Sequence, residues 1–402
     1  MRRPTDFESA TVWREGTLVG TIARTRHGSV FEYAPAFFDA HALLPGGIAT
    51  HLPYARRTTE TRGVNLHPFF AGLLPEGIRL EALVDRVKTS EDDLLSLLVA
   101  AGADTIGDLS VVPGDTPPSA IEPERWKPNE VRFADLFEKS MKSTAEEPTI
   151  PGVQAKLSAS TISFPVVPAG RAAFILKLNP PKYPKLVENE HFFMGMAKAC
   201  GLSVASTNLV HDRDGEAGLL VERFDRVWSP ETKSLQRIHQ EDACQFLDRY
   251  PADKYRISCR EIAEGLQEFC AAPIPELTHF IRLVAFSYLI GNGDLHAKNV
   301  SILAKQPGFV LSPAYDLLST LPYGDRRMAL KLDGRDDNLR RSDFISFGTR
   351  LAVRELAIAK VFDHLCDRAP AWIERLEDIG LDERRTRDLR DTMNRRLAQL
   401  SG

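Results

Sequence analysis

A chain of 402 residues, 43% of them hydrophobic and 26% charged, has the composition of a globular protein and is long enough for two or three domains. A net charge of −4 argues against a protein that binds nucleic acid by itself, and no run of 18 apolar residues offers a membrane span. The five cysteines show no C-x-x-C spacing, the ten histidines no metal-ligand spacing, and Met1-Arg2-Arg3-Pro4-Thr5-Asp6 lacks the apolar core of a signal peptide, so reduced thiols and a cytoplasmic chain are expected.

In chain order, Val12 to Ala23 reads as a β-hairpin turning at Glu15-Gly16, and Val30 to Tyr33 as a further strand. Ser90 is placed to cap a helix through Leu94, Leu97, Leu98 and Ala101, with Gly102 ending it. Pro113 to Ser119, with Pro123 and Pro128, has linker composition. The expected division is a small α+β subdomain at 1–113, a linker at 114–130, a strand-rich lobe at 131–228 and a helical lobe at 229–402.

Thr149-Ile150-Pro151-Gly152-Val153-Gln154-Ala155-Lys156-Leu157-Ser158 has a single Gly, so it is neither a P-loop nor G-x-G-x-x-G. A Gly before a strand still lets backbone N–H groups approach a phosphate. One hairpin later, Phe174-Ile175-Leu176-Lys177-Leu178 is an apolar strand carrying one lysine. An ammonium there is costly unless anions meet it; an edge-strand lysine facing water is the simpler alternative. Glu188-Asn189-Glu190 opens a helix through Met194, Ala197 and Cys200 that stops at Gly201. Glu190, ahead of Glu188, is the candidate partner for Lys177, although acids also favour helix N-termini for the dipole alone. Leu219 to Arg226 is a strand running into charged residues.

Leu277 to Ile290 reads as a strongly apolar helix delivering the chain into Gly291. A buried helix would hold the loop after it rigidly, as proximity catalysis requires. That loop is Gly293-Asp294-Leu295-His296-Ala297-Lys298-Asn299. An Asp and an Asn at this spacing suit phosphoryl transfer: the Asp takes the acceptor's hydroxyl proton and the Asn oxygen holds magnesium. Val300 to Leu303 and Phe309 to Leu311 form an apolar hairpin that ends near Asp316, a second acid for the metal. D-x-x-x-x-N alone is weak, since both residues are common in loops. The hairpin, the third acid and the upstream lysine, in order, give it weight. His296 is placed to orient the loop or to make a structural hydrogen bond, and a strand is expected from Met328 to Leu332.

The ordered set resembles the HipA family of serine/threonine kinases, the toxin halves of bacterial toxin–antitoxin pairs. Its pieces run from Phe69-Phe70-Ala71-Gly72-Leu73-Leu74-Pro75-Glu76-Gly77 and Gly102-Ala103-Asp104-Thr105-Ile106-Gly107-Asp108-Leu109, through Val221-Glu222-Arg223-Phe224-Asp225-Arg226 and His239-Gln240-Glu241-Asp242, to Asn292 through Asn299 and Ser312-Pro313-Ala314-Tyr315-Asp316. The resemblance implies a two-lobed, protein-kinase-like α+β fold with a small N-terminal α+β subdomain and a mainly helical C-terminal lobe. It implies ATP and magnesium as cofactors, Asp294 as catalytic base, and Asn299 and Asp316 as metal ligands. Lys177 would be the phosphate lysine, Gly152, Val153, Gln154, Ala155 and Lys156 the nucleotide loop, and Glu222 and Phe224 the hinge backbone facing adenine; His296 joins the nucleotide side.

The implied partners are a helix-turn-helix antitoxin of HipB type, operator DNA only through that antitoxin, and a protein substrate such as glutamate–tRNA ligase or another aminoacyl-tRNA synthetase. Family kinases autophosphorylate a Ser at the edge of the nucleotide loop. Here the matching position is Thr149, followed by Ile150-Pro151, with Ser158 and Ser160 further into the loop. Two other readings stand beside this one. Gly293-Asp294-Leu295-His296 with Asn299 also resembles small-molecule phosphotransferases of aminoglycoside and choline kinase type, and an inactive co-repressor would need only the antitoxin contact.

Overall fold

The computed structural model describes residues 7–63, 66–118, 127–135, 162–166 and 172–402. The expected first hairpin is present and belongs to a larger sheet. Strands β1 (Ser9–Arg14), β2 (Thr17–Thr25) and β3 (Gly28–Tyr33) pair antiparallel, a short β4–β5 pair (Gly47–Ala49, Leu52–Pro53) comes next, and β6 (Thr58–Arg62) and β7 (Leu109–Val112) complete a five-stranded sheet in the order β6-β3-β2-β1-β7. Helices α1 (Pro35–His41), α2 (Pro68–Gly72), α3 (Ile78–Val87) and α4 (Leu94–Ala101) cover it. Val12, Ile22, Phe31, Phe70, Leu97 and Leu98 meet in one buried core.

The cap of α4 is one turn later than expected. Asp93, not Ser90, accepts the Ser96 N–H at 3.2 Å, while Ser90 accepts from Asp92 at 3.2 Å in the preceding turn. Both residue types cap well, and the position of the apolar face decides between them.

A second sheet, ordered β10-β11-β9-β8, holds β8 (Ile162–Val166), β9 (Phe174–Leu178), β10 (Thr207–His211) and β11 (Ala217–Glu222). Lys177 lies opposite Leu219 on one side and Ser163 on the other, so it sits on an interior strand rather than an edge. Helix α5 (Leu186–Ala199) packs on this sheet and ends before Gly201. A hairpin of β12 (Arg226–Ser229) and β13 (Ser234–Arg237) leads into β14 (Gln240–Asp242) and the short α6 (Ala243–Phe246).

The remainder is helical around α7 (Cys259–Phe269) and α8 (Pro273–Ile290), with three further helices at Arg341–Arg350, Glu355–Ile373 and Glu383–Ser401. Phe280, Phe286, Tyr288, Leu289 and Ile290 of α8 are fully buried in the largest core. At roughly 1.5–3 kcal/mol per large apolar side chain, this helix is a principal anchor of the lobe. Strands β15 (Ser301–Lys305) and β16 (Gly308–Leu311) form the expected hairpin and join β14 in a three-stranded sheet. The strand expected from Met328 to Leu332 does not form; a single bridge links Leu332 to Arg335. Met328, Leu330 and Leu332 are buried at alternate positions, so the period-2 pattern reflects packing onto the lobe rather than a ladder.

Candidate active site

Helix α8 starts with Pro273, whose fixed φ suits a first turn, and stops at Gly291 with φ +70°. A Cβ at Gly291 would stand 2.3 Å from Leu321 Cδ1, and one at Gly293 2.7 Å from the Arg327 carbonyl, so the loop leaving the helix needs both glycines. Thr320 ties it down: its N–H donates to the Gly291 carbonyl at 2.9 Å and its hydroxyl accepts the Gly293 N–H at 2.8 Å. Asn292 Oδ1 then accepts the Asp294 N–H at 2.9 Å. Asn299 Nδ2 donates to the Asp294 carbonyl at 2.9 Å, which closes the loop and makes Oδ1 the atom available to a cation. Tyr255 donates its hydroxyl to Asp294 Oδ1 at 2.9 Å.

Glu190, the expected partner, does reach Lys177. Lys177 Nζ lies 2.7 and 2.8 Å from the two Glu190 oxygens and is hydrogen-bonded to Asp316 Oδ1. Glu188 is engaged elsewhere, with Asn179 at 2.9 Å and Lys185 at 2.9 Å. Burial alone would lower the Lys177 pKa, but the carboxylates of Asp316 and Glu190 outweigh it and hold the ammonium charged. Burial, joined by the like charge of Asp316, pushes Glu190 up to about 7 against the pull of Lys177. Asp316 itself has φ +56°, a left-handed conformation that costs a side-chain-bearing residue about 1 kcal/mol or more and is concentrated at functional sites.

Lys177, Glu190, Glu222, Phe224, Asp294, His296, Asn299 and Asp316 line one cleft of about 310 Å³. The N-terminal sheet domain forms part of its wall through Gly72 to Glu76 and Asp104 to Ile106. His296 is buried and packs edge-on against Tyr255, with ring centroids 5.0 Å apart and no hydrogen bond to either ring nitrogen. Burial, reinforced by the Lys254 charge, lowers its pKa to about 3, so it is a neutral imidazole at ordinary pH. Among the described residues there is no cluster of three or more His, Cys, Asp or Glu able to hold a metal ion alone. Asn299 and Asp316 are hard oxygen donors, and two such ligands completed by phosphate oxygens and water are what magnesium ordinarily accepts.

Thr149, Gly152, Val153, Gln154, Ala155, Lys156, Ser158 and Ser160 lie outside the described residues. Four groups around the loop were not anticipated. Glu76, Lys254, Tyr255 and Asp242 reach the Asp294–Asn299 loop from three other segments. Glu76 stands in a stretch noted for its resemblance, but nothing in local spacing ties it to a loop more than two hundred residues away.

Comparison with known proteins agrees with this architecture. Residues 149–373 match the HipA-like C-terminal domain and residues 10–112 the HipA N-terminal domain. The putative kinase Y4mE of Sinorhizobium fredii is 29% identical over 413 aligned positions, which cover 95% of this chain and 96% of its own length. The serine/threonine-protein kinase toxin HipA of Shewanella oneidensis is 30% identical over 293 positions, 67% of each chain. A solved structure from Shewanella oneidensis, of HipA with HipB and its operator DNA, matches with a TM-score of 0.74 at 22% identity, over 97% of this chain and 96% of that one. At that identity the likeness is one of fold. The chain belongs to the HipA family and has its two-lobed, kinase-like fold.

Proposed function

We propose that this HipA-family chain is an ATP- and magnesium-dependent serine/threonine protein kinase, the toxin of a toxin–antitoxin pair. What supports this most is the convergence of Lys177 with Glu190, Asp294, Asn299 and Asp316 in one cleft, the two ends of the set lying 139 residues apart in sequence. Asp294 takes the proton of the acceptor hydroxyl. Asn299 and Asp316 hold the metal, which when bound draws charge from the phosphates. Glu190 keeps the Lys177 ammonium at the phosphates. Gly152 to Lys156 are the candidate phosphate-contacting residues, Glu222 and Phe224 present backbone to adenine, and His296 walls the nucleotide side.

The acceptor is a protein hydroxyl on a translation component such as glutamate–tRNA ligase or another aminoacyl-tRNA synthetase. A helix-turn-helix antitoxin neutralises the chain in the cytoplasm and carries it to operator DNA. The likeness of fold to a HipA seen with HipB and DNA supports that partner, and Thr149 is the candidate for slow self-phosphorylation. No helix among the described residues is long and apolar enough to cross a membrane.

The test is transfer from γ-labelled ATP with magnesium. Label is expected on protein, lost by about 10²–10⁴-fold in Asp294→Asn, as for removal of a general base. Label on an aminoglycoside or choline instead would favour a small-molecule phosphotransferase. A purified chain that turns over no ATP would be the inactive co-repressor.

A further inference from the structure

The loop carrying Asp294 and Asn299 is flanked by two lysines, and both are held by one carboxylate from the N-terminal domain. Glu76 Oε2 lies 3.0 Å from Lys254 Nζ, and Oε1 lies 4.0 Å from Lys298 Nζ. The same domain receives Lys298 a second time, through the Gly72 carbonyl at 3.1 Å, and Asp242 lies 3.5 Å from it. Lys254 is tied into the loop by its own backbone, since its carbonyl accepts the Ala297 N–H at 3.1 Å. Its neighbour Tyr255 donates to the Asp294 carboxylate. From Glu76 to Asp294 there is thus an unbroken path through Lys254 and Tyr255, and a second through Lys298, the residue before Asn299.

We infer that Glu76 is a positioning residue for phosphoryl transfer, through which the N-terminal domain sets the geometry of Asp294 and Asn299. The electrostatics require such a group. Two ammonium groups that converge on one side chain repel each other, and a carboxylate between them offsets that cost. The two lysines hold Glu76 below the usual carboxylate range even though burial pushes it the other way. Asp242 cannot replace it, because it contacts Lys298 and is not an ion-pair partner of Lys254. With Glu76 neutral, the 254–255 segment keeps its backbone bond to Ala297 but loses its ionic tie to the N-terminal domain, and Tyr255 holds the Asp294 carboxylate less firmly. Asp294 and Asn299 would remain in the cleft but out of register with an acceptor.

This inference rests on the kinase reading, and the experiment separates the two. In the full chain, Glu76→Gln keeps shape and removes charge. The expected result is a kcat for transfer lowered roughly 10- to 100-fold, the size of effect a misplaced group produces, with KM for ATP and Tm near those of the parent. Glu76→Asp should recover part of the loss. Amide exchange should speed up at residues 294–299 and not across the α8 core. Tyr255→Phe combined with Glu76→Gln should cost little more than Glu76→Gln alone. A parent that transfers phosphate and a Glu76→Gln variant that matches it would overturn the inference and leave the kinase reading standing. If the parent transfers nothing, the kinase reading fails, and exchange alone decides: unchanged protection at 294–299 overturns the positioning role as well. Should Glu76→Gln melt far lower with exchange raised throughout, Lys254→Met supplies the same test. A global loss there too makes the contact structural and overturns the proposal.

Discussion

At the scale of single residues, the cleft is built from groups whose surroundings leave each one task. Asp316 carries a full charge from a left-handed backbone position, whereas Asn299 offers a neutral amide oxygen fixed by its own N–H to the Asp294 carbonyl. Asp316→Asn is the clean variant, because Asn is among the few residues that tolerate that conformation. It should raise the magnesium concentration needed for half-maximal transfer by roughly tenfold or more, since losing ~1.4 kcal/mol of attraction is already tenfold. Asn299→Ala should shift it less. Titrating magnesium against activity checks both, and identical curves for Asp316→Asn and the parent would contradict the assignment. These two residues, with Asp294 and Lys177, were legible in the sequence because their spacing and order match those that a phosphoryl-transfer site would need. Glu190 was legible over Glu188 only as a preference, and the second turn of α5 settled it by bringing Glu190 to Lys177. Glu76 and Tyr255 were not legible, since a hydrogen bond across a fold leaves no periodic trace.

At the scale of elements, α8 shows how the sequence specifies a rigid approach to the loop. Its apolar run, its Pro at the start and its Gly at the end all agree, and consistent local signals of this kind are the ones that read correctly. Gly291 carries the most strain-sensitive requirement. Gly291→Ala must take φ +70° with a Cβ against buried Leu321. The handedness costs about 1–2 kcal/mol and the overpacking about 1–3 kcal/mol. A fall in the denaturant midpoint at unchanged slope is the expected reading, and a midpoint equal to the parent's would mean that the turn relaxes freely. The elements that misled lacked such agreement. Ser90 and Asp93 are both good caps three residues apart, and Met328 to Leu332 alternates like a strand while having no strand beside it.

At the scale of the whole molecule, the N-terminal domain is joined to the kinase lobes by buried charge, invisible to a reading that takes each segment alone. Asp104 pairs with Arg223 at 2.9 Å and Arg226 at 2.7 Å, and the Gly107 N–H donates to Asp225 at 2.9 Å. Thr50 donates twice to Glu241 at 2.8 Å. His239 sits at the centre of this seam, 2.9 Å from both Asp108 and Glu241, with Arg14 on the far side of Asp108 at 2.8 Å and the rings of Phe69 and Phe309 packed against it. Burial works to lower its pKa, yet Asp108 and Glu241 prevail and raise it to about 9. The folded chain therefore binds this proton more tightly than the unfolded chain, where histidine titrates near 6.5. The stabilisation is fully present below pH 6.5 and is lost as pH rises toward 9, on the order of 3 kcal/mol across that window. His239→Gln can still hydrogen-bond but cannot take the charge. It should be less stable than the parent at pH 6, and the gap should close by about pH 9. Tm measured for both proteins at several pH values in that range checks it. A gap that stays constant would mean that His239 is neutral in the folded chain and that the seam is held by the Arg223 and Arg226 pairs instead. A gap that closes would tie the docking of the N-terminal domain, and with it the seat of Glu76 at the Asp294–Asn299 loop, to one buried proton.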